Sequence, residues 1–344
     1  MRDLDTGNIR KILVRATNWI GDAVMTTPAL GALRSAFPKA EIVLAANPVV
    51  AELMTPHPSC DRVIVYDKKG PHRGLRGLLR FCEDLSRERF DLAILFQNAI
   101  EAAIIARLAR IGKRAGYSTD WRGPLLTHAV PVSGEIPRLH QTRYYMNLLQ
   151  VLGISTNEQR LCLFCTGEEK NRARQALGGR RWVAVNPGAA YGSAKRWYPE
   201  RFAAVADALA SRYGFGVLLL GGAGEARIGF DIENAMRSRP LNLIGKTSVR
   251  EMMAYLCEAD LVVTNDSGPM HVAAAFDRPI VALFGPTDHT TTSPACSNFM
   301  IVRKEVECAP CLERQCPKGH HRCMLEINVE AVLDAAARIL DDLK

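Results

Sequence analysis

Short apolar runs alternate with helix-length stretches along this chain, and they do so in two separate series. The first series opens with Lys11-Ile-Leu-Val-Arg15 and repeats the strand signal at Glu41–Ala46, Asp61–Tyr66 and Asp91–Phe96. A helical pattern ends near Phe37-Pro38, and others cover about 74–88, 99–109 and 139–152. The second series begins at Trp182–Asn186 and continues through Gly216–Leu220, Leu241–Ile244, Leu261–Thr264 and Pro279–Phe284. Such alternation builds parallel sheets covered by helices, the α/β class. Between about 117 and 165 the pattern weakens, with Pro124, Pro131 and Pro137 interrupting it, so a domain boundary is expected near 155–170. The last helix, about 329–343, repeats apolar residues at 329, 332, 333, 336, 339, 340 and 343, which gives one buried stripe. Two Rossmann-like doubly wound domains, 1–160 and 161–328, are therefore expected, with 329–344 as a terminal helix packing back across them. Ligands of open α/β sheets bind outside the carboxyl ends of the strands. The chemistry is expected there, in a cleft between the two halves.

Composition narrows the field further. The 344 residues are 48% apolar and 23% charged, which excludes a disordered or fibrous chain. No run reaches the roughly 18–20 apolar residues of a spanning helix. The start, Met1 to Arg10, lacks the apolar core of a signal peptide, so a soluble cytoplasmic protein is expected. The net charge of +8 favours anionic partners, whether phosphorylated small molecules, an acidic membrane surface or nucleic acid. Nucleic acid is set aside, because the basic residues are not interleaved with aromatics and no recognised module is present.

Three strand ends carry candidate chemistry. After the first strand comes Asn18-Trp19-Ile20-Gly21-Asp22-Ala23-Val24-Met25-Thr26-Thr27-Pro28. Gly21 allows close backbone approach, Thr27-Pro28 reads as a cap and a first helical proline, and Asp22 sits where a carboxylate can take a proton from a hydroxyl. On spacing alone Asp22 also reads as a helix N-cap. In the second half, Thr264-Asn265-Asp266-Ser267-Gly268-Pro269-Met270-His271 runs from a strand into a helix whose N-terminus makes an anion site. A capped turn with a packed histidine is the bland alternative. Asn186-Pro187-Gly188-Ala189 and Gly221-Gly222-Ala223-Gly224-Glu225 end two further strands on the same edge, and the three ends together suggest a nucleotide pocket. No GxGxxG or GxxxxGK[ST] pattern occurs, which counts against dinucleotide oxidoreductases and P-loop NTPases. Ser193-Ala194-Lys195-Arg196-Trp197-Tyr198-Pro199 offers Lys195 or Arg196 to neutralise a departing phosphate. A solvated basic loop anchored by Trp197 explains the same residues.

With these motifs in order, the chain resembles the lipopolysaccharide heptosyltransferases, glycosyltransferase family 9, of the two-domain GT-B fold. Besides the stretches 18–25, 186–189, 195–199 and 265–271, the resemblance includes Cys308-Ala-Pro-Cys311 through His320-His321-Arg322-Cys323-Met324. It implies an inverting transfer of L-glycero-D-manno-heptose from ADP-heptose to the first heptose of heptosyl-Kdo2-lipid A. Asp22 would be the base and Lys195 would offset charge on the leaving ADP. Asp266, Ser267, Gly268 and His271 would hold the diphosphate and donor sugar, with Gly21, Asn186, Gly188, Ser193, Arg196, Gly222, Glu225 and Gly245 completing the donor side. No cofactor is implied, and no convincing DxD motif is present; Asp341-Asp342 lies in the terminal helix. The acceptor carries lipid A phosphates and Kdo carboxylates, which favours a binding role for Lys68, Lys69, His72, Arg73, Arg76 and Arg80, joined by Arg122 and Arg143. Read alone, that cluster is a solvated helix face. A monomer that closes its halves on the donor, touching the inner membrane peripherally, is the implied working state.

Ten cysteines remain to be placed. Cys308-x2-Cys311-x4-Cys316-x6-Cys323 contains one ligand-like pair, and tetrahedral zinc satisfies its chemistry. The intervals differ from the paired CxxC ribbon, so reduced thiols in a closing loop, or an occasional disulfide, are expected instead. Cys162-x2-Cys165 is read as coincidence. Two further readings compete with the one above: a family-9 transferase with a different acceptor, such as a heptosyltransferase I, and a nucleotide-sugar epimerase of the same architecture.

Overall fold

A computed structural model describes residue 4 and residues 7–156 and 160–342. Part of the expected boundary (157–159) and the end of the apolar stripe (343) lie outside the described residues. The chain divides into two compact units, Met1–Phe164 and Cys165–Lys344.

The first unit holds a six-stranded sheet of β1 (Lys11–Arg15), β2 (Glu41–Ala46), β3 (Arg62–Val65), β4 (Leu92–Leu95), β5 (Lys113–Tyr117) and β6 (His128–Val130). Their order is β3-β2-β1-β4-β5-β6, and each neighbouring pair is parallel. Ile12, Val14, Ile42, Leu44, Leu92 and Ile94 are buried, as are the residues between them, because helices cover both faces of a parallel sheet. Leu13, Val43, Phe81, Leu85 and Leu95 pack together in the core. The order reverses between β1 and β4, and that reversal is where such a sheet opens a crevice.

The second unit repeats the plan with β7 (Trp182–Asn186), β8 (Gly216–Leu219), β9 (Leu241–Asn242), β10 (Leu261–Asn265), β11 (Ile280–Phe284) and β12 (Phe299–Arg303). The order is β12-β11-β10-β7-β8-β9, again parallel, with the reversal between β7 and β10. Every residue of β7, β10 and β11 is buried, whereas β9 and β12 at the edges are half exposed. The terminal helix Val329–Asp341 buries Val332, Ala335, Ala336, Ile339 and Leu340, and it packs on the helix Pro199–Tyr213 and on β11 and β12.

The structure adds to the sequence reading at a few points. β5, β6 and β12, and the helix Gly167–Leu177, were not among the expected elements. The helix after Asp22 is broken into Ile20–Met25 and Thr27–Ala36, and the N-cap of the second piece is Thr26, one residue before the expected Thr27. Thr27 instead donates its hydroxyl to the Val24 carbonyl and accepts from the Cys162 amide.

Candidate functional site

At the reversal of the second sheet, β7 ends in Asn186 and β10 in Asn265, and both amides are buried and committed to the protein. Asn186 Nδ2 donates to the Leu220 carbonyl at 2.8 Å, and its Oδ1 accepts the Ser267 hydroxyl at 2.9 Å. Asn265 Nδ2 donates to the Pro187 carbonyl at 2.7 Å, and its Oδ1 accepts the Trp197 amide at 3.2 Å. These bonds draw the three expected strand ends together. Asn186 therefore positions Ser267 through its side chain. Because Ser267 turns its hydroxyl to Asn186, the helix Gly268–Ala275 starts without a side-chain cap, with Pro269 in its first turn. Its orphan N–H groups and dipole make this end a place for anionic oxygens. His271 is buried in that first turn.

Beside it, Lys195 Nζ lies 2.6 Å from Asp266 Oδ2, with the two side chains only 13% and 5% exposed. Thr287, after β11, donates its hydroxyl to the same carboxylate oxygen at 2.6 Å. Lys195 also sits 5.0 Å from the centre of the Tyr191 ring. A half-buried ammonium fixed by one carboxylate beside an aromatic face is placed to meet an anionic diphosphate. Arg196 donates to the Ala189 carbonyl at 3.3 Å, and its buried Nε has no partner among the described residues. Ser193 is exposed.

The loop carrying Lys195 is braced from outside. Ala194 N donates to the Arg314 carbonyl at 3.0 Å, Tyr191 donates its hydroxyl to the Leu312 carbonyl, and His321 Nε2 lies 2.8 Å from the Ala194 carbonyl. A Cβ on Gly192 would stand 2.1 Å from the Arg314 carbonyl oxygen, so only glycine admits this approach. On the other flank, Glu225 accepts the Gly222 amide at 2.9 Å, and its carboxylate occupies the space a Cβ on Gly188 would need. Gly245 has φ +74° and donates its amide to the Gly221 carbonyl.

At the reversal of the first sheet, β1 leads through Ala16–Trp19 into the short helix Ile20–Met25. Trp19 is its N-cap and gives no side-chain cap bond; Gly21 is buried, and the half-buried Asp22 stands in the first turn rather than at the cap. This helix packs on Gln141–Val151, whose Tyr145 phenol is held well above its usual range by burial and then by the Asp22 charge. Nearby, at the end of β1, just after it and after β4 respectively, Arg15 Nε, Thr17 Oγ1 and Gln97 Oε1 are buried with no hydrogen-bond partner among the described residues. Burial pushes the Arg15 guanidinium down to about 10. None of these three was singled out from sequence, because nothing local marks a polar atom as buried and unmatched.

The basic residues divide. Arg73, Arg76 and Arg80 are exposed on or beside the helix Gly74–Arg87, next to exposed Leu75 and Leu79. Lys69 is exposed nearby, and Lys68 pairs with Glu101 at 2.8 Å. His72 packs against Tyr66 and Phe81 and accepts the Asp67 amide, so it belongs to the core of that corner. Arg143 lines a cavity of about 400 Å³ with Leu139, Thr142, Met146, Asn147 and Gln150. Arg122 is corrected outright. It is fully buried, donating to the carbonyls of Tyr117, Gln97 and Leu95 and to Asn98 Oδ1, so its charge does not reach a surface acceptor.

All ten cysteines are free thiols. Cys308, Cys311, Cys316 and Cys323 line one small cavity, and among the described residues no three His, Cys, Asp or Glu side chains already stand in a metal-holding arrangement. No helix of the described residues is long and apolar enough to cross a membrane.

Comparison with known proteins agrees with this geometry. The family described as glycosyltransferase family 9 (heptosyltransferase) matches residues 78–321. The lipooligosaccharide heptosyltransferase 2 of Campylobacter jejuni is 28% identical over 340 residues, covering 96% of this chain and 98% of that protein. A family 9 glycosyl transferase structure from Veillonella parvula superposes with a TM-score of 0.89 at 25% identity, covering 99% of this chain and all of that one. The structure of Escherichia coli ADP-heptose LPS heptosyltransferase II superposes with a TM-score of 0.81 at 25% identity, covering 96% and 99%.

Proposed function

The chain belongs to glycosyltransferase family 9 and is a glycosyltransferase of GT-B fold, and on that footing we propose that it transfers L-glycero-D-manno-heptose from ADP-heptose to the first heptose of heptosyl-Kdo2-lipid A. The observation that carries this reading is the Lys195–Asp266 pair, its carboxylate buried and its lysine half-buried, beside an uncapped helix N-terminus at the reversal of the second sheet. An anionic diphosphate matches that site. The full-length similarity to type 2 heptosyltransferases supports the mono-heptosylated acceptor over the bare Kdo acceptor of a type I enzyme.

In this reading the acceptor hydroxyl oxygen bonds to the anomeric carbon as the carbon–oxygen bond to ADP breaks, and ADP leaves with that electron pair. Asp22 takes the hydroxyl proton. One in-line displacement inverts the anomeric centre and needs no covalent nucleophile. Lys195 offsets the charge that grows on the diphosphate, and Asp266 with Thr287 fixes where the ammonium stands. Ser267, Gly268 and His271 line the end of the helix that receives the phosphates. Gly188, Gly222, Glu225 and Gly245 shape the neighbouring turns. The unmatched atoms of Arg15, Thr17 and Gln97 are suited to the oxygens of a sugar acceptor.

The exposed arginines and leucines around Gly74–Arg87 suit the acceptor's phosphates and an anionic leaflet, so we assign the enzyme a peripheral place on the cytoplasmic face of the inner membrane, as a monomer. The test is product analysis. Incubation with ADP-heptose and heptosyl-Kdo2-lipid A should add one heptose by mass, with an anomeric configuration opposite to the donor's by NMR. An unchanged acceptor mass, or a donor converted to an epimer without any acceptor, would refute the reading.

A further inference from the structure

The four tryptophans divide by what their indoles do. Trp182 and Trp197 are buried, and their indole N–H groups donate to the Leu177 and Ile327 carbonyls at 2.8 and 3.1 Å. Trp19 and Trp121 are exposed, and both follow strands at the carboxyl edge of the first sheet, after β1 and after β5. Trp121 is 91% exposed, more than any other large apolar side chain among the described residues. An indole left in water forfeits the burial that a side chain of this size brings to folding. The backbone adds a second cost. Asp120 and Trp121 have φ +53° and +58°, the left-handed region that bulky residues avoid, and such a conformation persists only where its surroundings hold it.

The turn is pinned to the exit of β4 on both sides of the indole. Asp120 accepts the Ile100 amide at 2.7 Å, and Thr119 donates its hydroxyl to the Asn98 carbonyl at 3.4 Å. Buried Arg122 donates to the Gln97 carbonyl and to Asn98 Oδ1. The ring thus stands in solvent on a fixed base, and a ring held before its partner arrives loses little freedom on contact. In the order β1-β4-β5, the exits that lead to Asp22, Gln97 and Trp121 are consecutive. Two strand spacings are about 10 Å, within the reach of a short glycan lying across this edge. Between the two ends, Gln97 keeps a buried Oε1 with no hydrogen-bond partner among the described residues, an acceptor for a sugar hydroxyl.

We propose that Trp121 is a stacking platform for the acceptor: its indole face packs on the C–H face of a pyranose ring, while Gln97 accepts a hydroxyl of the same glycan. A pyranose carries C–H bonds on its faces and hydroxyls around its edge, so an aromatic plane near a hydrogen-bond acceptor matches both parts. A ring face requires the fixed orientation seen here; a fluid lipid surface does not. The identity of the glycan rests on the transferase reading, whereas the platform does not.

The experiment uses the full chain and the heptosyl-Kdo2 glycan freed of its lipid. Its Kd is measured by calorimetry without donor, and its KM with ADP-heptose. Trp121→Ala should raise both by about tenfold, and the KM for ADP-heptose should not follow. Trp121→Phe, which keeps an aromatic face, should hold both within about threefold, whereas Trp121→Leu should behave as the alanine variant. Trp121→Gly should bind as weakly as Trp121→Ala while keeping or raising Tm, because glycine adopts φ +58° without strain; a weakened fold is thereby separated from a lost contact. Equal Kd and KM in Trp121→Ala and the unsubstituted protein, or a Trp121→Phe that binds no better than Trp121→Ala, would overturn the platform. So would a loss confined to binding of anionic vesicles without glycan, which would make Trp121 a membrane anchor. Glycan bound through Trp121 but never extended would uphold the platform and refute the transferase reading; no glycan binding at all would refute both.

Discussion

Lys195 and Asp266 lie 71 residues apart in sequence and 2.6 Å apart in the fold. Asp266 is buried and Lys195 half-buried, so removing Lys195 strands the Asp266 charge in a poorly solvated place. Lys195→Ala is therefore expected to lower kcat by about 100-fold or more. It should also lower the unfolding midpoint, and a steady-state assay with a urea titration would show both. A loss confined to KM would place Lys195 in ground-state binding alone. At this scale the sequence is legible as far as residue type and strand end. Asp266 directly follows an apolar run, and Asp22 and Lys195 lie in the segments leading from one into the next helix, at the edge where open sheets bind ligands. What cannot be read there is pairing and burial. Nothing in Asp120-Trp121-Arg122 indicates that the guanidinium folds inward onto four acceptors, and nothing in Asn186-Pro187-Gly188 indicates that the amide serves Ser267. Thr287 carried a faint signal, since Gly285-Pro286 ends a strand on the same edge.

The helix Gly167–Leu177 shows how one cap organises a whole element. Thr166 and Glu169 form a reciprocal capping box, and Arg250 on the helix Val249–Glu258 donates to the Glu169 carboxylate at 2.7 Å. That guanidinium, ahead of the cap bonds, holds the Glu169 carboxyl down to about 2. A depressed carboxylate contributes stability above its unfolded value near 4.5 and loses it as pH falls toward 2. Glu169→Gln should cost about 2 kcal/mol at pH 7, and the gap to the unsubstituted protein should shrink between pH 4.5 and 2, as urea midpoints would report. A gap independent of pH would contradict this. A second element-scale prediction concerns Gly74–Arg87. Replacing Leu75 and Leu79 by Gln should weaken sedimentation with anionic vesicles by about tenfold or more, while transfer to a delipidated acceptor stays unchanged. Equal vesicle binding would remove this helix from the membrane contact. The central strands were readable because burial on both faces makes them continuous apolar runs. β5 begins with Lys113 and Arg114 and β6 has three residues, so neither presents such a run. β12 does have one, Phe299–Val302, but it falls outside the five-strand series that the alternation suggests.

At the level of the whole chain, two sheets of the same strand order place their reversals at Asp22 and at Lys195–Asp266. The alternation of runs made the doubled architecture legible, and the resemblance supplied the chemistry that strand ends alone leave open. The reaction joins two substrates whose activation we assign to different units: a hydroxyl deprotonated by Asp22 and an ADP leaving group offset by Lys195. The most direct measurement is ADP release from ADP-heptose with Kdo2-lipid A bearing no heptose or one, using unsubstituted protein and Asp22→Asn side by side. The account predicts release only with the mono-heptosylated acceptor, and a loss of about 100-fold or more in Asp22→Asn. Release with the bare Kdo acceptor, or undiminished release by Asp22→Asn, would contradict it.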